Sequence, residues 1–293
     1  MMNQAVKKSV SHNLDPRDLV DHERYPIDDI ENPTRREVIN QTKGALKRDG
    51  CALLKGFLSP RGRSAILDEA MGRRSLAYFS DDNLTNAYFS EPDPSLPESH
   101  PVNFQMERSN GFITSDNFGA ESVCRRLYLW QPLSRFLAEC LGKPKLHIYA
   151  DPISNMIVNV CTPGTQFNWH FDTNEFTITM LLKPASSGGY FEYAPNIRTS
   201  SDENYQGVGA VLSGDREKVK RLNLQPGDLQ FFLGRYSLHQ VTRNTGEGDR
   251  ILIIMSFTEE PGVIGSKQRV QQLYGKTTAA HDQKKIRSDG LRD

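Results

Sequence analysis

The stretch that decides the fold is FNWHFDTNEFTITMLLKP, residues 167–184. Alternate side chains of a β-strand point to the same face, so His170 and Asp172 share one face while their immediate neighbours occupy the other. A carboxylate buried in a sheet is costly unless it is paired with a cation or bound to a metal. The stretch therefore predicts a strand with a hydrophobic side and a functional side.

Similar short runs rich in Val, Ile, Thr, Phe and Tyr follow one another from Leu146 to about residue 260. Turn signals such as PG, SSGG and NTGEGD separate several of them. Many short strands at this spacing are typical of a sandwich or barrel, and the absence of helical patterns between them argues against a parallel α/β sheet. We therefore predict a mainly β fold with flanking helices.

The rest of the chain divides into regions by its texture. We expect a polar N-terminal arm (1–30), mobile or ordered only by docking; a helical region (31–145) whose irregular segment 80–120 forms a lid; the β core (146–260); and a helical C-terminal tail (261–293).

Composition excludes several classes of protein. Lys+Arg and Asp+Glu both number 36 in 293 residues, so the formal net charge is zero. The chain therefore lacks the overall positive charge that would indicate a nucleic-acid or membrane-surface partner. The four cysteines form no CxxC pair, and neither a secretory signal nor a run long enough to cross a bilayer is present. The expectation is a soluble, cytoplasmic protein.

A second histidine, His239, lies in a later strand-like run and is followed by Arg250 at an H-x10-R spacing. Two histidines and one carboxylate on one face of a metal leave three positions open, as in non-haem Fe(II) oxygenases. A hairpin at NTGEGD would return Arg250 to that site, where a guanidinium can bind a carboxylate such as that of 2-oxoglutarate in bidentate fashion. Each element alone is more often structural, and only their conjunction predicts an iron site.

With this motif the chain resembles the Fe(II)/2-oxoglutarate-dependent dioxygenase superfamily. NWHFDTNEFTITMLL, GGYFEYAPNIR, LQPGDLQFFLGRYSLHQVTR and HDQKKIRSDGLRD are similar to the free-amino-acid hydroxylases and radical halogenases, over roughly residues 100–293. The resemblance implies a distorted double-stranded β-helix (a jelly roll, cupin-like) that uses Fe(II), 2-oxoglutarate and O₂. It implies His170, Asp172 and His239 as iron ligands and Arg250 as the residue that binds 2-oxoglutarate.

The carboxylate at position 172 distinguishes the reactions of that family. Chlorinating members carry glycine or alanine there, which opens a coordination site for halide. The presence of Asp172 implies hydroxylation of an unactivated C–H bond, with succinate and CO₂ as coproducts. Desaturation or cyclisation with the same cofactors remains an alternative.

The substrate is expected to be a small molecule, and the resemblance favours a free amino acid without saying which. Candidate polar contacts are Arg108, Asp151, Asn155, Asn174 and Glu175, with Glu192 and Tyr193 as further polar groups. Arg108 matches, by spacing alone, an anion-contacting arginine of halogenating relatives. For each of these residues an ordinary structural or surface role is an equally good interpretation.

Two other classes of function stay open. A non-catalytic cupin-like protein would bind a metal or small ligand without turnover, and would not form the visible charge-transfer band of Fe(II) chelated by 2-oxoglutarate. An oxygenase acting on protein or nucleic acid would need an extended docking surface and would not turn over a free amino acid. The terminal segments are plausible contacts of a homodimer.

Overall fold

The structure of the chain is a computed structural model that describes residues 14–81, 83–282 and 290–292. In these residues the α-helices are α1 (Pro33–Asp49), α2 (Pro60–Gly72), α3 (Val123–Tyr128), α4 (Gln131–Cys140), α5 (Tyr205–Leu212) and α6 (Lys267–Tyr274). The strands are β1 (Cys51–Leu54), β2 (Tyr78–Phe79), β3 (Leu84–Thr85), β4 (Met106–Glu107), β5 (Gly111–Ile113), β6 (His147–Ile148), β7 (Met156–Cys161), β8 (Phe167–His170), β9 (Thr177–Lys183), β10 (Phe191–Ala194), β11 (Lys220–Leu222), β12 (Leu229–Phe232), β13 (Leu238–Val241) and β14 (Arg250–Thr258). Short 3₁₀ helices cover Pro16–Leu19, Arg74–Leu76, Ser115–Asn117 and Ala279–Asp282.

Two antiparallel sheets form the barrel. The major sheet has the order β1-β12-β9-β14-β7-β5-β2, with β6 beside one end of β14, and the minor sheet has the order β11-β10-β13-β8. Strands distant in sequence lie side by side, as when β8 pairs with β13 and β7 with β14. This is the double-stranded β-helix that the resemblance implied, with flanking helices.

Strand β9 illustrates how alternation divides the major sheet into two faces. Ile178 and Met180 are fully buried in the main hydrophobic core, which includes residues of α1 and α2. The alternate residues Thr177 and Thr179 line a cavity between the two sheets. A strand with one apolar and one polar face therefore separates the helical layer from the interior of the barrel.

The N-terminal region is part of the barrel and not a separate unit, in contrast to the division expected at residue 146. Strand β1 follows α1, which ends at Gly50 in the left-handed conformation (φ 64°), and pairs with β12 at one edge of the major sheet. Residues 14–30 pack on this body through buried side chains such as Leu19 and Ile27. The remainder of the expected arm, residues 1–13, lies outside the described residues.

The segment 80–120, expected to be an irregular lid, contains strands. β3 pairs with β4, and β5 joins the major sheet beside β7. The backbone N–H of Phe171 donates to the carbonyl of Ala87, so this segment runs along the strand that carries His170. It therefore forms a wall of the barrel where the sequence suggested a lid.

The C-terminal tail contains α6 and the 3₁₀ helix that ends at Asp282, whereas residues 283–289 lie outside the described residues. Beyond this gap Leu291 is buried and the N–H of Arg292 donates to Glu203. Of the helices in the described part of the chain, not one combines the length and the apolarity that crossing a membrane requires.

Candidate metal centre

His170 and His239 face each other across the minor sheet. His170 is the last residue of β8 and pairs in register with His239 of β13, so their side chains emerge on the same side with ring centroids 4.0 Å apart. Asp172 follows two residues later and brings its carboxylate to the same point. The ligand atoms of the three residues all lie within 4.8 Å of one another.

The backbone fixes the orientation of both imidazoles. Nδ1 of His170 lies 2.7 Å from the carbonyl oxygen of Asn168, and Nδ1 of His239 lies 3.0 Å from that of Ser237. A carbonyl oxygen can only accept, so each Nδ1 carries the proton and each Nε2 presents a lone pair. The Nε2 atoms lie 3.9 and 3.5 Å from Oδ1 of Asp172, which places three donor atoms around one point.

Asp172 is held from two directions. Oγ1 of Thr177 donates to Oδ2 over 2.7 Å, and the backbone N–H of Asp172 donates to the carbonyl of Gly234 over 3.1 Å. A Cβ at Gly234 would stand 1.9 Å from Oδ2, so the carboxylate occupies the space that the glycine leaves. Oδ1, the oxygen nearer the histidines, is thereby directed at them.

Burial and charge set the protonation of this cluster. Burial, reinforced by the neighbouring His239, lowers the pKa of His170 well below its ordinary value and keeps its imidazole neutral. Burial by itself raises the pKa of Asp172, but His239 and the hydroxyl of Thr177 outweigh burial and lower that pKa below its usual range. Neutral imidazoles and an ionised carboxylate are the states that bind a metal cation.

Arg250 opens onto the same cavity as the triad. It is the first residue of β14, pairs with Cys161 of β7 and is almost fully buried. Its Nη1 has no hydrogen-bond partner among the residues that the structure describes, and burial lowers the pKa of the guanidinium. A buried cation without an acceptor is expensive, so the cavity is suited to an anionic ligand at this end.

The residues present fit the iron and cosubstrate that the sequence predicted. Two imidazoles and one carboxylate on one side of a cation are the donor set of an open Fe(II) site. Asn159, which pairs with Leu252 two residues after Arg250, also lines the cavity, and its buried Nδ2 has no partner in the described chain. Orphaned donors at both positions match a dicarboxylate whose far end is bound by Arg250.

Apolar side chains enclose most of the remaining cavity. The ring of Phe167 stacks on His170 at 3.8 Å between centroids and 14° between planes, and Phe232 meets His239 edge-on at 4.7 Å. Val270 and Leu273 of α6 contribute from the opposite side. These contacts hold the two imidazoles in place and limit water around the donor atoms.

The structure brings only some of the predicted substrate contacts to this cavity. Asn174 lines it, is buried, and has an Oδ1 without a partner among the described residues. Glu175 lies in a surface groove beside Lys43 and Glu259. Of these two sequence neighbours only Asn174 lines the cavity that contains the triad.

The side chains of Asp151 and Asn155 are engaged by other groups of the protein. The Asp151 carboxylate is fully buried, accepts hydrogen bonds from three backbone N–H groups and lies 3.0 Å from Nε2 of His281. The Asn155 side chain accepts from the hydroxyl of Ser115. Neither residue lines the cavity.

Arg108, Glu192 and Tyr193 also lie outside the cavity lining. Arg108 is fully buried and donates to the backbone carbonyls of Asn110 and Gln272, the latter in α6. Glu192 is ion-paired with Arg221 on the outer side of the minor sheet, while the buried Tyr193 contributes to a hydrophobic cluster. Arg108 therefore stabilises the position of α6 through its hydrogen bond to the carbonyl of Gln272.

The residue that the sequence analysis missed is Arg269, on α6. Its side chain lines the cavity, its Nη2 donates to the carbonyl of Phe171 over 2.9 Å, and its guanidinium lies 4.5 Å from the ring centre of Phe89. Phe171 separates the two ligands in the chain. A signal existed, because Arg269 and Leu273 are spaced by four residues and so share the apolar face of a short helix.

Comparison with solved structures identifies the class. A prolyl hydroxylase from Trichoplax adhaerens, in complex with a peptide fragment, has a TM-score of 0.51 at 13% identity, covering 78% of this chain and 94% of its own. The non-heme alpha-ketoglutarate-dependent epimerase SnoN from nogalamycin biosynthesis has a TM-score of 0.53 at 14% identity (76% and 84%). AviO1 from Streptomyces viridochromogenes Tue57 has 0.52 at 15% identity (77% and 96%). The fold is that of the Fe(II)/2-oxoglutarate oxygenase superfamily.

A family model assigns the chain to one family within this superfamily. The family model described as Halogenase D matches residues 105–269, more than half of the chain, and this chain belongs to that family. The match contains every member of the triad together with Arg250 and Arg269. None of the curated proteins matches the chain.

Proposed function

We propose that this protein is an Fe(II)- and 2-oxoglutarate-dependent oxygenase that hydroxylates an unactivated C–H bond of a free amino acid. The observation that carries the proposal is one cavity that contains the triad of His170, Asp172 and His239 together with Arg250, whose Nη1 has no hydrogen-bond partner among the described residues. Solved structures of the same fold include SnoN with Fe3+ and alpha-ketoglutarate. Membership of the Halogenase D family supports small-molecule chemistry at such a centre.

In this proposal each residue has one task. His170, Asp172 and His239 hold the iron, with both histidine protons kept on Nδ1 by backbone carbonyls. Arg250 binds the distal carboxylate of 2-oxoglutarate. When bound, Fe(II) and 2-oxoglutarate would supply the electrons that activate O₂, with release of succinate and CO₂. The apolar walls exclude water and hold one C–H bond of the substrate near the centre.

Asp172 argues for hydroxylation within a family named for halogenation. Halogenating members lack the carboxylate, and the vacated ligand position takes the halide. In this chain Thr177 and Gly234 fit the carboxylate closely, which supports a three-ligand centre without a place for halide.

The test is mass spectrometry of pooled free amino acids incubated with the protein, Fe(II), 2-oxoglutarate and air, with chloride present and succinate followed in parallel. One amino acid that gains an oxygen atom in proportion to succinate is the expected result. Loss of two hydrogens would replace hydroxylation by desaturation or cyclisation, and a chlorinated product would contradict the role given to Asp172. If 2-oxoglutarate gives no charge-transfer band with bound Fe(II), the non-catalytic cupin-like alternative replaces the proposal.

A further inference from the structure

A second buried arginine, Arg269, lines the same cavity as Arg250. Arg269 is buried, and while its Nη2 is engaged by the carbonyl of Phe171, its Nη1 has no hydrogen-bond partner in the described part of the chain. The guanidinium therefore lines the cavity with its Nη2 held by the backbone and its Nη1 available to a ligand. Phe89 covers the guanidinium from one side and meets the ring of His170 edge-on, which places Arg269 beside the metal triad.

We propose that Arg269 binds the carboxylate of the substrate, and that the substrate is an apolar amino acid. This inference rests on the proposed function and names the substrate class of the same site. A divalent iron, the carboxylate of Asp172, the two carboxylates of 2-oxoglutarate and the guanidinium of Arg250 together carry no net charge. Arg269 then remains as an uncompensated buried cation, which requires an anion from the one component still to bind.

The walls next to Arg269 are apolar. Phe112, Phe167, Val270 and Leu273 line the cavity on this side. A charged side-chain terminus of the substrate, such as that of lysine or glutamate, would lose its water without a counter-charge there. The lining therefore favours an aliphatic or aromatic side chain, whose burial is favourable in proportion to its apolar area.

Asn174 supplies the partner for the ammonium group. Its buried Oδ1 has no hydrogen-bond donor among the described residues and borders the same cavity. An α-amino acid has its ammonium and carboxylate on one carbon, so an acceptor and a cation that line one cavity suit that pair. The two groups hold the α-carbon end of the molecule and leave its side chain to the apolar walls.

The experiment measures binding by calorimetry without turnover, to the protein with Fe(II) and 2-oxoglutarate in the absence of O₂. Probes are the apolar amino acids, lysine, glutamate, and the amide of whichever apolar amino acid binds best. We expect apolar amino acids to bind at least about tenfold tighter than lysine or glutamate. The amide, which lacks the carboxylate, should bind on the order of 100-fold more weakly than the acid.

Arg269→Gln should remove the preference for the acid over the amide and leave the charge-transfer band unchanged. Arg269→Lys should keep part of the preference for the acid over the amide, because lysine keeps the positive charge but cannot bind a carboxylate in bidentate fashion. Arg198→Gln is the matched control: Arg198 is also buried, lies 3.8 Å over the ring of Phe171 and pairs with Glu203, but does not line the cavity. Its acid-to-amide ratio should equal that of the unmodified protein.

Three results overturn the inference alone: an acid-to-amide ratio that persists in Arg269→Gln, a ratio that Arg198→Gln abolishes equally, or equal binding of lysine and the apolar amino acids. If Arg269→Gln does not fold, two other results overturn the inference: an acid-to-amide affinity ratio near one in the unmodified protein, or an acid-to-amide ratio that is unaltered in Arg269→Lys. Absence of the charge-transfer band in the unmodified protein overturns the proposed function, and the inference with it.

Discussion

Gly234 and Asp172 are fitted to each other. The carbonyl of Gly234 accepts the backbone N–H of Asp172, and the position of a Cβ on Gly234 coincides with the carboxylate, 1.9 Å from Oδ2. The site therefore depends on a residue that offers no ligand atom, two residues past the end of β12.

Gly234→Ala should abolish iron binding by forcing the Asp172 carboxylate away from the histidines. The expected loss of Fe(II) affinity, measured by anaerobic titration, is at least about 100-fold, the upper end for a disturbed supporting contact. Gly44→Ala is the control, because a Cβ on this exposed residue of α1 meets nothing within 4 Å. It should leave iron affinity unchanged and stabilise the protein by about 0.5–1 kcal/mol. Normal affinity in Gly234→Ala would contradict the assignment of Asp172.

Thr177→Val should weaken iron binding without abolishing it. The substitution keeps the shape of the side chain but removes the hydroxyl that donates to Oδ2 of Asp172. Loss of such an outer contact typically costs about 10–100-fold in metal affinity. Thr177→Ser keeps the hydroxyl and should stay near the unmodified value. Equal affinities in the two variants would show that the hydrogen bond has no part in holding the carboxylate.

Arg250→Gln should raise the KM for 2-oxoglutarate by at least about 30-fold, as expected for loss of a buried charged partner. Succinate production at varied 2-oxoglutarate measures the effect, and rate at saturation should recover because the triad is intact. Arg243→Gln is the comparison, since Arg243 lies in the connection between β13 and β14 but is exposed and pairs with Glu107. A KM that changes equally in both variants would assign the cosubstrate to another residue.

The metal-free protein should lose stability on acidification below about pH 6.5, where a histidine in the unfolded chain takes up a proton. Burial lowers the pKa of His170, so on acidification this residue is protonated in the unfolded state before it is protonated in the folded state. The free energy of unfolding therefore decreases as the pH is lowered, until His170 is protonated in the folded state as well. The lowered pKa of Asp172 acts only in a separate range, below about pH 4. Urea unfolding at several pH values measures the slope, which should be smaller in His170→Asn. An identical slope would mean that His170 is protonated in the fold.

The metal centre was predictable because its members obey short-range rules. Two-residue spacing brings His170 and Asp172 to one point. The expected hairpin after His239 is instead a crossover from β13 of the minor sheet to β14 of the major sheet, and it still brings Arg250 to the cavity. The succession of strands predicted a mainly β sandwich or barrel, the resemblance implied the double-stranded β-helix, and the structure confirms that fold. The strand order that joins β8 to β13 and β7 to β14 depends on pairings between distant residues, which no local pattern specifies.

The substrate side of the cavity could not be predicted in the same way. Asp151 was a reasonable candidate as a carboxylate near the core, but the loop at residue 265 and His281 return to it from far along the chain. Arg269 lies almost a hundred residues after Asp172 and reaches the site only because α6 packs over the barrel mouth. Whether a polar side chain binds the protein's own backbone or a ligand depends on such long-range packing.

The fit between Gly234 and Asp172 also limits the evolutionary routes between the two chemistries of the family. Replacing Asp172 by glycine is a single step that frees position 234 to accept a side chain. Once an alanine or larger residue is fixed at 234, the return to aspartate is sterically blocked until the glycine is restored. Loss of the Asp172 carboxylate can thus be reversed by a single substitution only while residue 234, which supplies no ligand atom, is still glycine.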